Sequence, residues 1–245
     1  MTKAFPSQTG LYKIKPKSEQ SSDRWSDFQT ARLQISVGQP YHEGEKFAAT
    51  LEWCRPRFKG VVICVNDTLQ RYNAMFELGL SDDVARQRSV AAGSDWIARN
   101  LGSVTDDPIF EIRRWNDWLA DPDYLETHRA ILALDKTNPD FAAAISADIE
   151  RIWARRHAND PEAYSMYRRA AFQELSRVYL LEEIAVFSLM FAQETAIDIY
   201  PGSALFAAQV FQGRKVAGAP AGLGRGHFCR IDFGRNRWGP DLKIA

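Results

Sequence analysis

The sequence predicts an α/β fold, a single Rossmann-like domain with a mostly parallel sheet flanked by helices, and three observations carry the prediction. Gly60-Val-Val-Ile-Cys-Val65 is a continuous β-branched run closed by Asn66-Asp67, the pattern of a strand buried on both faces of a parallel sheet. Strand and helix patterns alternate early in the chain and helical patterns dominate later, an order that builds a parallel sheet with helices on its faces. No long linker and no internal repeat breaks residues 1–245, so they read as one domain.

The elements follow in order. Residues 1–30 are polar and rich in Lys and Ser, and are expected to be extended or partly flexible. Residues 31–36 read as a strand ending in the Gly- and Pro-containing turn Ser36-Val-Gly-Gln-Pro40. Residues 43–58 read as a helix with Phe47, Leu51 and Phe58 among its apolar positions, and helices are expected at 68–79 and 82–101. Phe110–Arg114 is a short strand candidate. Helices are then expected at 115–120, 122–134, 138–156, 161–170 and 171–192. Asp121-Pro122 and Asn138-Pro139 look like helix starts, a capping residue with proline at the first helical position. Ile197–Tyr200 reads as a strand, 204–212 as a helix and 227–233 as a last strand.

Composition excludes several classes. An apolar fraction of 45% and a charged fraction of 25% are those of a globular protein. A formal net charge of zero excludes a wholly basic nucleic-acid coat, though not a local basic patch. Cys54, Cys64 and Cys229 are odd in number and widely spaced, which fits a reducing compartment and offers no Cys-x-x-Cys pair for zinc. The N-terminus lacks a signal-peptide core, and no run approaches the roughly 18 apolar residues of a membrane helix. A cytoplasmic protein with no membrane partner, no metal and no cofactor is the expectation.

Ser36 sits at a strand end, where α/β proteins keep their ligands. Tyr179 and Glu183 lie four apart on one face of a long helix pattern, with Phe172, Leu175, Val186 and Met190 on the same face. Glu183 thus interrupts an apolar stripe, and a carboxylate there needs a partner. Periodicity alone does not separate it from Glu182, for which Leu175, Val178 and Leu189 make a similar stripe. Tyr200 ends the short strand before Pro201-Gly202. His42 is near Ser36 in sequence, but on a turn it is expected to be exposed.

With the Ser-x-Gly turn at 36–38, Tyr-x-x-x-Glu at 179–183 and Tyr-Pro at 200–201, the chain resembles the cyclodipeptide synthases, which make diketopiperazines from aminoacyl-tRNAs. The resemblance runs from about residue 30 to 235. Gln39 with Tyr200-Pro201, and the stretch Val65–Asn73, are similar to the Tyr-Pro group of that family. The resemblance implies a fold like the catalytic domain of class Ic (tyrosyl- and tryptophanyl-) tRNA synthetases. Their ATP-site motifs are absent here, as suits an amino acid that arrives already activated. It also implies that Ser36 carries the first aminoacyl group as an ester, that Glu183 meets its α-ammonium and selects itself over Glu182 by family spacing, and that Tyr200 relays protons. The amides of Val37-Gly38 and the Gln39 side chain would stabilise the oxyanion. The protein would be a monomer.

In the same family, the positions matching Arg32, Gln34, Cys64, Trp115, Val186 and Asp198 line the first aminoacyl pocket. Here three of the six are polar or charged, which points to at least one polar or ionisable amino acid. The competing expectation, of equal weight, is that Arg32 and Asp198 pair with each other. For tRNA, the helix at 82–101 offers only Arg86, Arg88 and Arg99, fewer cations than the family pattern. Arg151, Arg155 and Arg156, the pair Arg168-Arg169, and the tail 214–245 (seven basic against two acidic residues, an excess of five) are further clusters. Gly222-Leu-Gly-Arg-Gly226 has no helix pattern after it, so it reads as a flexible loop rather than a phosphate loop. Two rivals stand beside the synthase reading: a serine hydrolase or acyltransferase on small esters, and a non-catalytic tRNA-binding domain.

Overall fold

The computed structural model describes residues 11–17, 25–102, 104, 106–202 and 216–235. Six strands form one sheet: β1 (Tyr12–Lys17), β2 (Thr30–Ile35), β3 (Gly60–Val65), β4 (Phe110–Arg114), β5 (Ile197–Tyr200) and β6 (His227–Arg235). Their spatial order is β1-β6-β5-β2-β3-β4, parallel throughout except for β1, which runs antiparallel to β6 along one edge. Among the described residues seven α-helices connect them: α1 (Gly44–Cys54), α2 (Arg71–Leu78), α3 (Asp82–Asn100), α4 (Trp115–Leu119), α5 (Tyr124–Thr137), α6 (Pro139–Asn159) and α7 (Arg169–Gln193).

Period-two alternation divides the sheet between two cores. Ala31, Leu33 and Ile35 of β2, with Val61, Ile63 and Val65 of β3, pack with Phe47 of α1 and Trp96 of α3 on one face. Val62 and Cys64 look the other way, into the core built by α5, α6 and α7. On that second face β2 and β5 present Arg32, Gln34 and Asp198, three polar side chains that are all buried. The chain passes from β2 to β3 on one side, and β5 lies on β2's other side. The crevice beyond the carboxyl ends of β2 and β5 is therefore the topological switch point, where open α/β sheets bind ligands.

Several expectations change. The segment expected to be extended or flexible contains β1, an edge strand whose Lys and Pro suit an exposed sheet edge. α1 stops at Cys54, and Phe58 reaches the core from the turn that follows, its amide bonded to the Cys54 carbonyl at 3.1 Å. Asp121 does not cap a helix with Pro122 inside it: its carboxylate accepts from the Asp123 amide at 3.0 Å, and α5 begins at Tyr124. Asn138 does cap α6, accepting from the Phe141 amide at 3.0 Å, with Pro139 at the first helical position. The helix expected at 161–170 is a turn followed by a single 3-10 turn at Met166–Arg168, because Asp160 accepts from the Ala163 amide and closes the chain on itself. Gly222 belongs to a packed turn rather than a flexible loop: a Cβ there would lie 1.7 Å from the Ser188 carbonyl oxygen of α7. The helix expected at 204–212 lies outside the described residues. Among the described residues no helix is long and apolar enough to cross a membrane.

Candidate active site

The turn after β2 sets Ser36. The Gln39 amide donates to the Ser36 carbonyl at 3.2 Å, and Gly38 holds φ +87°, the third position of a type II turn that glycine fills without strain. The Ser36 amide donates to Nδ1 of His42 at 2.9 Å, and the Trp96 indole donates to the His42 carbonyl at 2.9 Å. His42 is therefore buried, at 4% exposure, and not exposed as its turn position suggested. Burial pushes its pKa down to about 4, against the smaller opposing effect of the Ser36 backbone. Its Nδ1 is occupied by the Ser36 amide, so it anchors the turn and does not activate the hydroxyl. A Ser-His hydrolase arrangement is not formed.

The Ser36 hydroxyl meets another hydroxyl instead. Ser36 Oγ lies 3.2 Å from Tyr200 Oη, across the switch point, and Tyr200 Oη lies 3.0 Å from Tyr41 Oη. Tyr41 was not anticipated from the sequence; only the long-range pairing of β2 with β5 brings it to Tyr200. Burial, and then the neighbouring Tyr200, push the Tyr41 hydroxyl's pKa upward.

α7 supplies the other side. Glu182 and Glu183, indistinguishable by periodicity, have different surroundings. Glu182 accepts from Arg71 Nη1 at 2.8 Å, from the Trp115 indole at 2.8 Å and from the Tyr72 hydroxyl at 2.7 Å. Burial alone would raise its pKa, but the Arg71 guanidinium and the two neutral donors reverse this and hold it below the usual carboxylate value. Glu183 faces the cavity. Its Oε2 is buried with no hydrogen-bond partner. Burial, and then the negative charge of Asp148 on α6, push its pKa up to about 8, with the Tyr179 hydroxyl acting weakly in the opposite direction. Tyr179 Oη accepts a long bond from Gln70 Nε2 at 3.5 Å, and its pKa is raised well above the usual value by burial.

Ser36, Tyr200, Tyr179 and Glu183 thus line one cavity of about 370 Å³, together with Gln34, Gln39, Tyr41, Asn66 and, between α2, α6 and α7, Phe76, Ile152, Arg155, Phe172 and Leu175. The other residues named from the sequence lie elsewhere. Arg32 and Asp198 form a bidentate pair at 3.2 and 3.1 Å, fully buried behind the cavity wall. Arg32 also donates to the Met190 carbonyl at 3.2 Å, Gln34 donates to Asp198 at 2.6 Å, and Asn66 donates to Gln34 at 3.2 Å. Cys64, Trp115 and Val186 are fully buried behind the same wall, and Gly38 is exposed in its turn. Arg86, Arg88 and Arg99 sit on α3, against the sheet face opposite the cavity. Arg99 pairs with Glu43 at 3.1 Å. Among the described residues no three His, Cys, Asp or Glu side chains gather as metal ligands would.

No family model and no curated protein matches the chain. Solved structures do. A cyclodipeptide synthase (CDPS) from Fluoribacter dumoffii is 29% identical, with a TM-score of 0.75 over 90% of this chain and 99% of its own. A Mycobacterium tuberculosis protein, described as demonstrating that cyclodipeptide synthetases are related to type I tRNA synthetases, is 14% identical, with a TM-score of 0.65 over 93% of this chain and 98% of its own. A cyclodipeptide synthase from Candidatus Glomeribacter gigasporarum, solved bound to Phe-tRNAPhe, is 15% identical, with a TM-score of 0.63 over 88% of this chain and 92% of its own.

Proposed function

We propose that this chain is a cyclodipeptide synthase of the Tyr-Pro group, which joins two aminoacyl-tRNAs into a 2,5-diketopiperazine through acyl-enzyme intermediates on Ser36. The observation that carries the reading is the meeting of Ser36 and Tyr200 hydroxyls at 3.2 Å over a cavity walled by Glu183, in a fold shared with solved enzymes of that kind.

The chemistry follows from the groups present. Ser36 Oγ attacks the ester carbonyl of the first aminoacyl-tRNA, and its proton passes through Tyr200 Oη to the departing ribose oxygen. One ester replaces another, so no ATP is consumed. Tyr41, bonded to Tyr200 from its far side, holds that hydroxyl toward Ser36. The Val37-Gly38 amides and the Gln39 side chain face the developing oxyanion.

The aminoacyl group on Ser36 must then present a neutral amine. An α-amine titrates at roughly 7.7–8.0, and Glu183 titrates at about 8. The raised Glu183 lies nearer to that range than an ordinary carboxylate, which lowers the cost of taking a proton from the ammonium and frees the amine to attack the second ester. A carboxylate at its ordinary value would favour the ammonium. The dipeptidyl-enzyme closes on itself when its new amino end attacks the Ser36 ester, a step made fast by the proximity of the reacting ends.

The tRNA body would lie over α3, on Arg86, Arg88 and Arg99. Arg32 and Asp198 pair with each other behind the wall, as the competing expectation had it, so they no longer argue for a polar substrate. What supports at least one polar or ionisable amino acid is Arg155 in the cavity lining. The test is incubation with a mixed pool of charged tRNAs, followed by a search for diketopiperazines by mass, with Ser36→Ala as control. Product from wild type alone is expected. Equal product from the variant would overturn the covalent route, and none from either would favour a hydrolase or a binding module.

A further inference from the structure

The cavity follows α7 from Glu183 to Phe172, roughly 16 Å at 1.5 Å per residue, long enough for two amino acids in line. Its two ends differ. Near the sheet it is lined mainly by hydroxyls and amides, whereas between α2, α6 and α7 Phe76, Ile152, Phe172 and Leu175 stand beside the polar Asn73 and Ser176. Ile152 and Arg155 stand three residues apart, on one face of α6. Arg155, exposed and near enough to Tyr41 to act on its hydroxyl, therefore sets a guanidinium between the apolar walls and the hydroxyl end.

The charges lining the cavity do not balance. Arg156 is occupied by Glu77 and the Tyr164 hydroxyl. Arg155 has no salt-bridge partner among the described residues. Glu183 is the one carboxyl in the lining, and at about 8 it is largely protonated at neutral pH. Arg155 thus lines the cavity from an exposed position with no protein carboxylate paired to it among the described residues.

On the cyclodipeptide-synthase reading of this cavity, we propose that one of the two amino acids joined is acidic, its side-chain carboxylate recognised by Arg155. A methylene stem against Ile152 and Leu175 with a carboxylate at its tip matches both features of this end. The planar guanidinium fork suits bidentate carboxylate recognition. A tRNA phosphate would satisfy the charge but make no use of the apolar walls.

The experiment is a competition: tRNA charged with all twenty amino acids, diketopiperazines quantified by mass, wild type against Arg155→Met and Arg155→Lys. The expected result is that acidic residues appear in the main wild-type product. In Arg155→Met the ratio of acidic to neutral product should fall by about tenfold or more, the loss of one charge-assisted pair, with partial retention in Arg155→Lys. Thermal unfolding of each variant checks the fold, and a product ratio within one reaction is insensitive to a partly active preparation. Diketopiperazines lacking acidic residues, or a ratio unchanged in Arg155→Met, would overturn the assignment while leaving the synthase reading intact. A uniform loss across all products would assign Arg155 to the RNA backbone instead. No diketopiperazine from any charged tRNA would overturn the synthase reading itself.

Discussion

Two polar layers lie side by side under the switch point, and they are bonded in opposite ways. In and behind the cavity wall, Arg32, Asp198, Gln34 and Asn66 form one chain of bonds, and Arg71, Tyr72, Trp115 and Glu182 form another, with Gln34, Asn66 and Tyr72 reaching the cavity itself. Facing the cavity, Ser36, Tyr200 and Tyr41 share only hydroxyl contacts, and Glu183 keeps a buried oxygen without a partner. Burial alone does not distinguish a bonded carboxylate from an unsatisfied one. Glu182 and Glu183 are neighbours on one helix, yet donors hold one below the usual range while burial raises the other to about 8. A polar group saturated by the protein shapes the site; one left unsatisfied is available to substrate.

Substitutions in the two layers should separate stability from activity. The largest effect is expected at Ser36: Ser36→Ala should lower diketopiperazine formation on the order of a thousandfold or more while leaving thermal unfolding almost unchanged. Arg71→Ala should do the reverse. It leaves Glu182 buried without its charge partner, at a cost of about 3–5 kcal/mol, visible as a loss of roughly 2–4 °C in Tm per kcal/mol for a chain of this size. An Arg71→Ala protein as stable as wild type would break the comparison.

Glu183→Gln joins both readouts. The folded protein binds the Glu183 proton more tightly than the unfolded chain, since its pKa rises from 4.5 to about 8. The resulting stability is full below about pH 4.5 and is lost as pH rises toward 8. Glu183→Gln, which never ionises, should therefore match wild type near pH 5 and exceed it near pH 9, by a few kcal/mol at ~1.4 kcal/mol per pKa unit. Its activity should fall about a hundredfold. Equal pH dependence in both proteins would contradict the raised carboxyl. The smallest effect is expected for Tyr41→Phe, about a tenfold fall in turnover from a misoriented Tyr200 hydroxyl, with stability held within about 1 kcal/mol. Steady-state rates and unfolding of the same preparations check it.

Much of this was legible in the chain. β3 falls where its apolar run placed it, because a strand buried on both faces needs a continuous run, and β4 falls where the shorter alternation of Phe110 and Ile112 placed it. β1 carries a similar alternating signal, Tyr12 and Ile14 separated by lysines, but an N-terminal position argued for flexibility and obscured it. Ser36, Tyr179, Glu183 and Tyr200 were each named from the sequence, and the fold brings all four to one cavity. Three features were not legible there. Tyr41 depends on the long-range register of β2 with β5. His42 depends on the close packing of Trp96 against its carbonyl. The choice between Glu182 and Glu183 depends on where Arg71 and Trp115 arrive, and helical periodicity carries no information about that.

The central claim is that the unsatisfied layer carries an acyl group on Ser36. Intact-protein mass measurement after brief incubation with a single aminoacyl-tRNA tests it most directly. The account predicts an added mass of one aminoacyl group, located at Ser36 by fragmentation and absent from Ser36→Ala. An unmodified protein that still forms diketopiperazine, or the same adduct on Ser36→Ala, would contradict it.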